Sequence, residues 1–255
     1  MSSPWILYEY PFNEGARTML RLEHLFKRLG QLQARDEPVD HHFALATLFE
    51  VMDVASRSDL KSELLKELER HRSQLQSYRG HPGISEAALD DVVGRIDRTF
   101  QGLIEVQGKV GQVLAGNEWL MSVRSRIGIP AGTCEFDLPG YYAWQQYPAE
   151  RRRADLDRWS SCLAPLAQAL QLLLGMLRDS GAKQRMHAAS GQFQLRLQES
   201  KTYHLLRLYM PADCEVVPEI SGHRLLVSVR MLRADVEGRL RPSTEDVDFE
   251  MTLCS

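Results

Sequence analysis

The chain is 255 residues long and 44% apolar, enough for one large domain or two smaller ones around a real core. Its net charge of -3 argues against a protein whose main partner is nucleic acid, although a balanced total can conceal a local basic patch. Cys134, Cys162, Cys214 and Cys254 are widely spaced, with no CxxC pair, and read as reduced cytosolic thiols; the opening MSSPWILYEYP lacks a positive start followed by a long apolar run, so no signal peptide is expected.

In chain order, Tyr8, Tyr10 and Phe12 around Pro11 suit an extended segment, and a strand is expected near 5–10. From Asn13, which can cap free amides, the composition turns to helix formers. Met19, Leu22, Phe26 and Leu29 share one face of this helix, while Arg17, Arg21, His24 and Arg28 fall in a narrow stripe on the other. The helical period accounts for the apolar face. It permits the charged stripe without requiring it, because water accepts any polar residue there. Leu45, Leu48, Phe49 and Met52 form the next apolar stripe, with Asp40 placed to cap it, and SRSD at 56–59 interrupts it. Leu60, Leu64, Leu68 and Leu75 then mark a highly charged helix ending at Gly80. Ser85 caps a partner carrying Leu89, Val92, Val93, Ile96, Phe100 and Leu103. A projecting antiparallel hairpin of two long helices joined by GHPG is expected.

Around Ile129 the helical period fails, and the alternation of Cys134, Phe136 and Leu138 with Glu135 and Asp137 predicts a short strand near 133–138. Helix resumes near Pro148 and is bent or restarted at Pro165. The apolar run at 163–177 is short for a membrane span and contains Pro165, Gln168 and Gln171, so a buried helix is expected. After Gly181 the period becomes two. Phe193, Leu195 and Leu197, then Leu206 and Leu208, then Val227, Val229 and Met231, then Val247, Phe249, Met251 and Leu253 alternate with polar residues. The class that follows is α+β. A helical domain over 12–180, interrupted near 133–138, packs against a mainly antiparallel β domain, a small sheet or sandwich, over 181–255 that is joined by strands near 5–10 and 133–138. The wet strand faces carry Arg196, Arg207 and Arg230, which neighbouring strands can merge into a patch.

The chain has no GxxxxGK[ST] loop, no GxGxxG opening a helix, no GxSxG and no HExxH. His41 and His42, adjacent on a helix, cannot both face one metal ion. The balance moves from catalysis to binding. An adaptor for an acidic protein would use Arg-carboxylate pairs, whereas a nucleic-acid module would use the same charges on phosphates. The overall acidity and the lack of an RNP1-like aromatic signature favour the adaptor.

Several stretches, YEYPFNEGARTMLRLEHL, DLKSELLKELERHRSQLQSY, RSRIGIPAGTCEFDLP, PLAQALQLLLGMLRDS, PEISGHRLLVSVRML and DFEMTLC, resemble in the same order the Z-ring-associated protein D (ZapD) family of bacterial cell division. The resemblance spans almost the whole chain. It implies a cytoplasmic, non-enzymatic homodimer at the mid-cell division site, without cofactor or metal, that binds the C-terminal tail of the polymer-forming GTPase FtsZ and bundles its filaments. It further implies Arg17 and Arg21, Arg124 and Arg126, and His223 and Arg230 as the basic residues that hold the tail. Arg124 and Arg126 have an alternative reading as internal ion pairs tying the domains together, and His223 as a residue serving its turn. The segment matching LAGNEWL is often basic in that family, whereas here Ala115, Gly116, Asn117 and Glu118 carry no positive charge.

Overall fold

Strand β1 (Trp5–Pro11) hands over to helix α1 (Glu14–Gln33) at Asn13, whose Oδ1 accepts the Ala16 N–H at 2.8 Å, so the expected cap is formed. The computed structural model describes residues 5–56 and 59–255; Arg57 and Ser58 of the SRSD break, and Met1 to Pro4 of the opening segment, lie outside the described residues. Backbone contacts divide the chain into two units, one holding the chain up to Thr18 and from Leu174 onward, the other Met19–Leu173.

The second unit is helical: most of α1, α2 (Pro38–Ala55), α3 (Leu60–Gln76), α4 (Glu86–Ile104), the short α5 (Gln112–Ala115), α6 (Glu118–Ile127), α7 (Pro139–Gln145), α8 (Ala149–Ser160) and the first part of α9 (Ala164–Asp179). Asp40 does not cap α2. The helix starts earlier at Pro38, which suits a first-turn position, and Asp40 in that turn pairs with Arg35 at 3.2 Å. Helices α3 and α4 form the expected hairpin, with Leu64, Leu68, Leu89, Val93 and Ile96 buried and Arg72 paired with Asp97 across it at 2.8 Å. Its turn needs Gly80, whose φ of 77 is left-handed, and the Gly80 N–H donates to Glu86 Oε1 at 2.7 Å.

The strand expected near 133–138 is not formed. The Gly132 N–H donates to Ile129 O, and those of Asp137 and Leu138 to Cys134 O, so successive turns satisfy this backbone locally. Phe136 is 78% exposed, and a five-residue alternation without a strand partner gives way to its Pro and Gly flanks. A 3-10 turn at Ser161–Leu163 precedes Pro165, as expected of a restarted helix. By length and apolar content alone the stretch 149–179 would suffice to cross a membrane, but Leu163, Leu166, Leu170 and Leu173 are buried within the protein, as in a core helix. Trp119, Tyr141, Trp144 and Trp159 stack together, joining α6, α7 and α8.

The first unit is a two-sheet antiparallel sandwich. One sheet runs β1, β4 (Leu205–Pro211), β8 (Val247–Cys254), β2 (Lys183–Ala188); the other runs β3 (Gln192–Arg196), β6 (Leu226–Ala234), β5 (Val217–His223), with β7 (Leu240–Pro242) also on β6. Leu206, Leu208, Phe249 and Met251 of the first sheet join Val227, Val229 and Met231 of the second in one core. The α+β class is thus as expected, with antiparallel sheets built from the C-terminal strands plus β1. Strands β2, β5 and β7 add to the four read after Gly181; β2 and β5 are edge strands, and all three are too polar or too short to alternate clearly. The expected merging of Arg196, Arg207 and Arg230 does not occur. Arg207 lies in the other sheet, where its Nε donates to Glu9 Oε1 at 3.1 Å.

Candidate partner-binding site

The six basic residues fall in three pairs, each built by one local element. On α1, Arg17 and Arg21 are four residues apart and so lie on one face. Arg17 Nε is 3.0 Å from Glu14 Oε1, one turn back, whereas the exposed Arg21 has no carboxylate partner among the described residues. His24, next on that stripe, is exposed; Arg28 is engaged by α2, donating to Thr47 Oγ1 at 2.9 Å and pairing with Glu50. The expected stripe therefore divides into an open half and a structural half.

Arg124 and Arg126 end α6, where the helix dipole favours cations. Two residues apart, they point to different sides: Arg124 pairs with Asp53 of α2, and Arg126 lies 3.6 Å from Asp137 in the turn that replaces the expected strand. Both pairs are internal to the helical unit. His223 closes β5 at the hairpin tip, its Nδ1 accepting the Leu225 N–H at 3.3 Å, so it does serve its turn. Arg230 sits opposite Glu219 and donates Nε to Glu219 Oε2 at 2.8 Å. Four residue pairs, about 13 Å at a strand's rise, separate it from His223, too far for one carboxylate to bridge both.

Four of the six residues thus already hold a carboxylate; the alternative reading of Arg124 and Arg126 as internal ion pairs is met, though within the helical unit rather than between domains, and the partners of Arg17 and Arg230 had not been anticipated. Glu14 and Glu219 were legible in principle from i,i+3 spacing and from hairpin register; Asp53 and Asp137 were not, because only the fold brings them near. Such exposed pairs are worth about 0–1 kcal/mol, so an incoming carboxylate can exchange with the internal one at little cost.

Other motif residues support the fold. Gly222 approaches β1 so closely that a Cβ there would lie 2.7 Å from Phe12 Cε1, and its N–H donates to Tyr10 Oη at 3.2 Å. At Gly132 a Cβ would lie 2.8 Å from Arg126 O, so the turn after α6 closes only around glycine. His41 and His42 each have a protein partner: Arg152 Nε donates to His41 Nδ1 at 2.9 Å, and His42 Nδ1 lies 2.7 Å from Tyr141 Oη. Burial lowers the pKa of both, with the Arg152 charge adding to the effect at His41.

Fold and surface together define a two-unit α+β protein whose six candidate basic residues stand on helix and hairpin elements. A model of the ZapD cell division protein family matches residues 20–230 of the 255. The chain belongs to that family, which assigns it a role in cell division.

Proposed function

We propose that this protein binds the C-terminal tail of FtsZ in the cytoplasm at mid-cell and, as a homodimer, crosslinks and bundles FtsZ filaments without catalysing a reaction. Family membership supplies the context, and one observation carries the reading to residues. Among the described residues Arg21 stands exposed and without a carboxylate partner on the α1 face that also bears Arg17, which pairs with an exposed glutamate one turn away. A tail combining carboxylates with apolar residues suits such a surface, because a planar guanidinium grips a carboxylate through two parallel hydrogen bonds. Arg124, Arg126, His223 and Arg230 are assigned to the same function, with their present partners exchanging for the ligand.

The test is co-sedimentation with FtsZ polymers, with and without the FtsZ tail. The wild type should pellet with full-length polymers and stay in the supernatant with tail-less ones. Arg17→Glu combined with Arg21→Glu should abolish pelleting while leaving the far-UV circular dichroism unchanged; undiminished pelleting would remove both residues from the site.

A further inference from the structure

Another basic surface lies in the helical unit. Arg95, Arg98 and Thr99 of α4 face Gln168, Gln171 and Leu172 of α9 across an open groove of about 390 Å³. Leu172 is buried and forms its apolar floor, and the four long polar side chains are exposed. Neither arginine has a carboxylate partner among the described residues, whereas Arg72 and Arg79 of the same hairpin pair with Asp97 and Asp90. The local sequence explains part of this. Gly94 and Gly102 stand one turn to either side of Arg98, so no side chain can answer its charge at those positions, and Arg98 Nη1 lies 3.5 Å from where a Cβ of residue 94 would be.

The spacing selects the ligand. Arg95 and Arg98 are three apart and so are Gln168 and Gln171, which sets two guanidinium groups along one wall and two amides along the other. A side-chain amide both donates and accepts, as a peptide unit does, while a simple inorganic anion would leave the glutamine carbonyls without a donor. We propose that this groove binds an acidic peptide segment, two of its carboxylates on Arg95 and Arg98 and its backbone on Gln168 and Gln171. The site is separate from Arg17 and Arg21, so either can fail without the other.

The experiment uses a short fluorescein-labelled peptide of alternating Asp and Leu, with an Asn/Leu peptide as control, read by fluorescence anisotropy on the full chain. Arg95→Ala with Arg98→Ala should weaken binding of the acidic peptide about tenfold or more, and Gln168→Ala with Gln171→Ala should also weaken it. Arg17→Glu with Arg21→Glu should leave a binding component that the Arg95 and Arg98 changes remove. The proposal is overturned if the Arg95 and Arg98 changes have no effect, or if the Asn/Leu peptide binds equally well. It is equally overturned if the glutamine changes are silent while inorganic phosphate displaces the peptide, since the groove would then hold any small anion.

Discussion

Arg152 is 4% exposed and has no carboxylate partner among the described residues; its guanidinium instead donates to the carbonyl oxygens of Asp36, Gln145 and Tyr147 and to His41 Nδ1. An arginine cannot accept a hydrogen bond, so His41 must present a bare Nδ1 to it and carry its proton on Nε2, which donates to Arg35 O at 2.7 Å. Protonating Nδ1 would place a second cation against the guanidinium inside the protein. Burial, with help from Arg152, therefore holds the His41 pKa below 6.5, and burial lowers His42 likewise. The unfolded chain then takes up protons first, so this contribution to stability is complete above about pH 6.5 and is lost as the pH falls toward the folded pKa. His187 works the other way, because its hydrogen bond to Asp248 raises its pKa, but it lies at the surface, where solvent screens the effect. The urea midpoint should fall between about pH 7.5 and 5.5, and His41→Gln, which can still accept from Arg152, should flatten the decline. A midpoint that rises with acidification would contradict this assignment of the proton.

At the scale of elements, β1 is held by more than its ladder with β4. Glu9 receives Arg178 of α9 through Nε at 2.8 Å and Nη2 at 2.7 Å, and Arg207 of β4 at 3.1 Å; the three side chains are only 16%, 18% and 20% exposed. Glu9→Ala would remove the half-buried carboxylate that Arg178 and Arg207 share, and a loss of about 3 kcal/mol is expected, measurable by urea denaturation; Glu9→Gln should recover part of it by still accepting a hydrogen bond. A loss below about 1 kcal/mol would mean that the cluster behaves like an exposed pair. The β1 strand itself was legible from its aromatic residues, but this anchor was not, because Glu9 and Arg178 are brought together only by folding. The same distinction runs through the chain. Long apolar periods such as Leu206 and Leu208, or Val227 to Met231, survive into the structure because each buries a whole face, while the short alternation at Cys134 to Leu138 had no strand to pair with and became turns. Of the candidate site, the positions of the arginines on α1 were legible from its period. The groove of Arg95 and Arg98 was not: the helical period only places both off the apolar face of α4, and folding alone sets Gln168 and Gln171 of α9 across from them.

For the whole molecule, the proposed bundling requires two tail sites on one particle, which a two-fold homodimer supplies with identical surfaces. Many weak tail contacts along a polymer then add up through high effective concentration, and no single contact has to be tight. This mechanism makes a prediction that simple coating of filaments does not. When dimers are scarce relative to tails, each can hold two filaments and light scattering should rise with added protein. When dimers are in large excess, each tail is occupied by a different dimer, free second sites outnumber free tails, and scattering should fall again while the protein bound in the pellet continues to rise. Added salt should lower the whole curve, since exposed Arg-carboxylate attraction is screened over about 10 Å at 0.1 M ionic strength, and it should do so without changing the circular dichroism of the apolar cores. Scattering that rises to a plateau and never falls would count against bivalent crosslinking. A monomer at micromolar concentration by light scattering would end that mechanism outright, even with tail binding intact, because a single tail site cannot join two filaments.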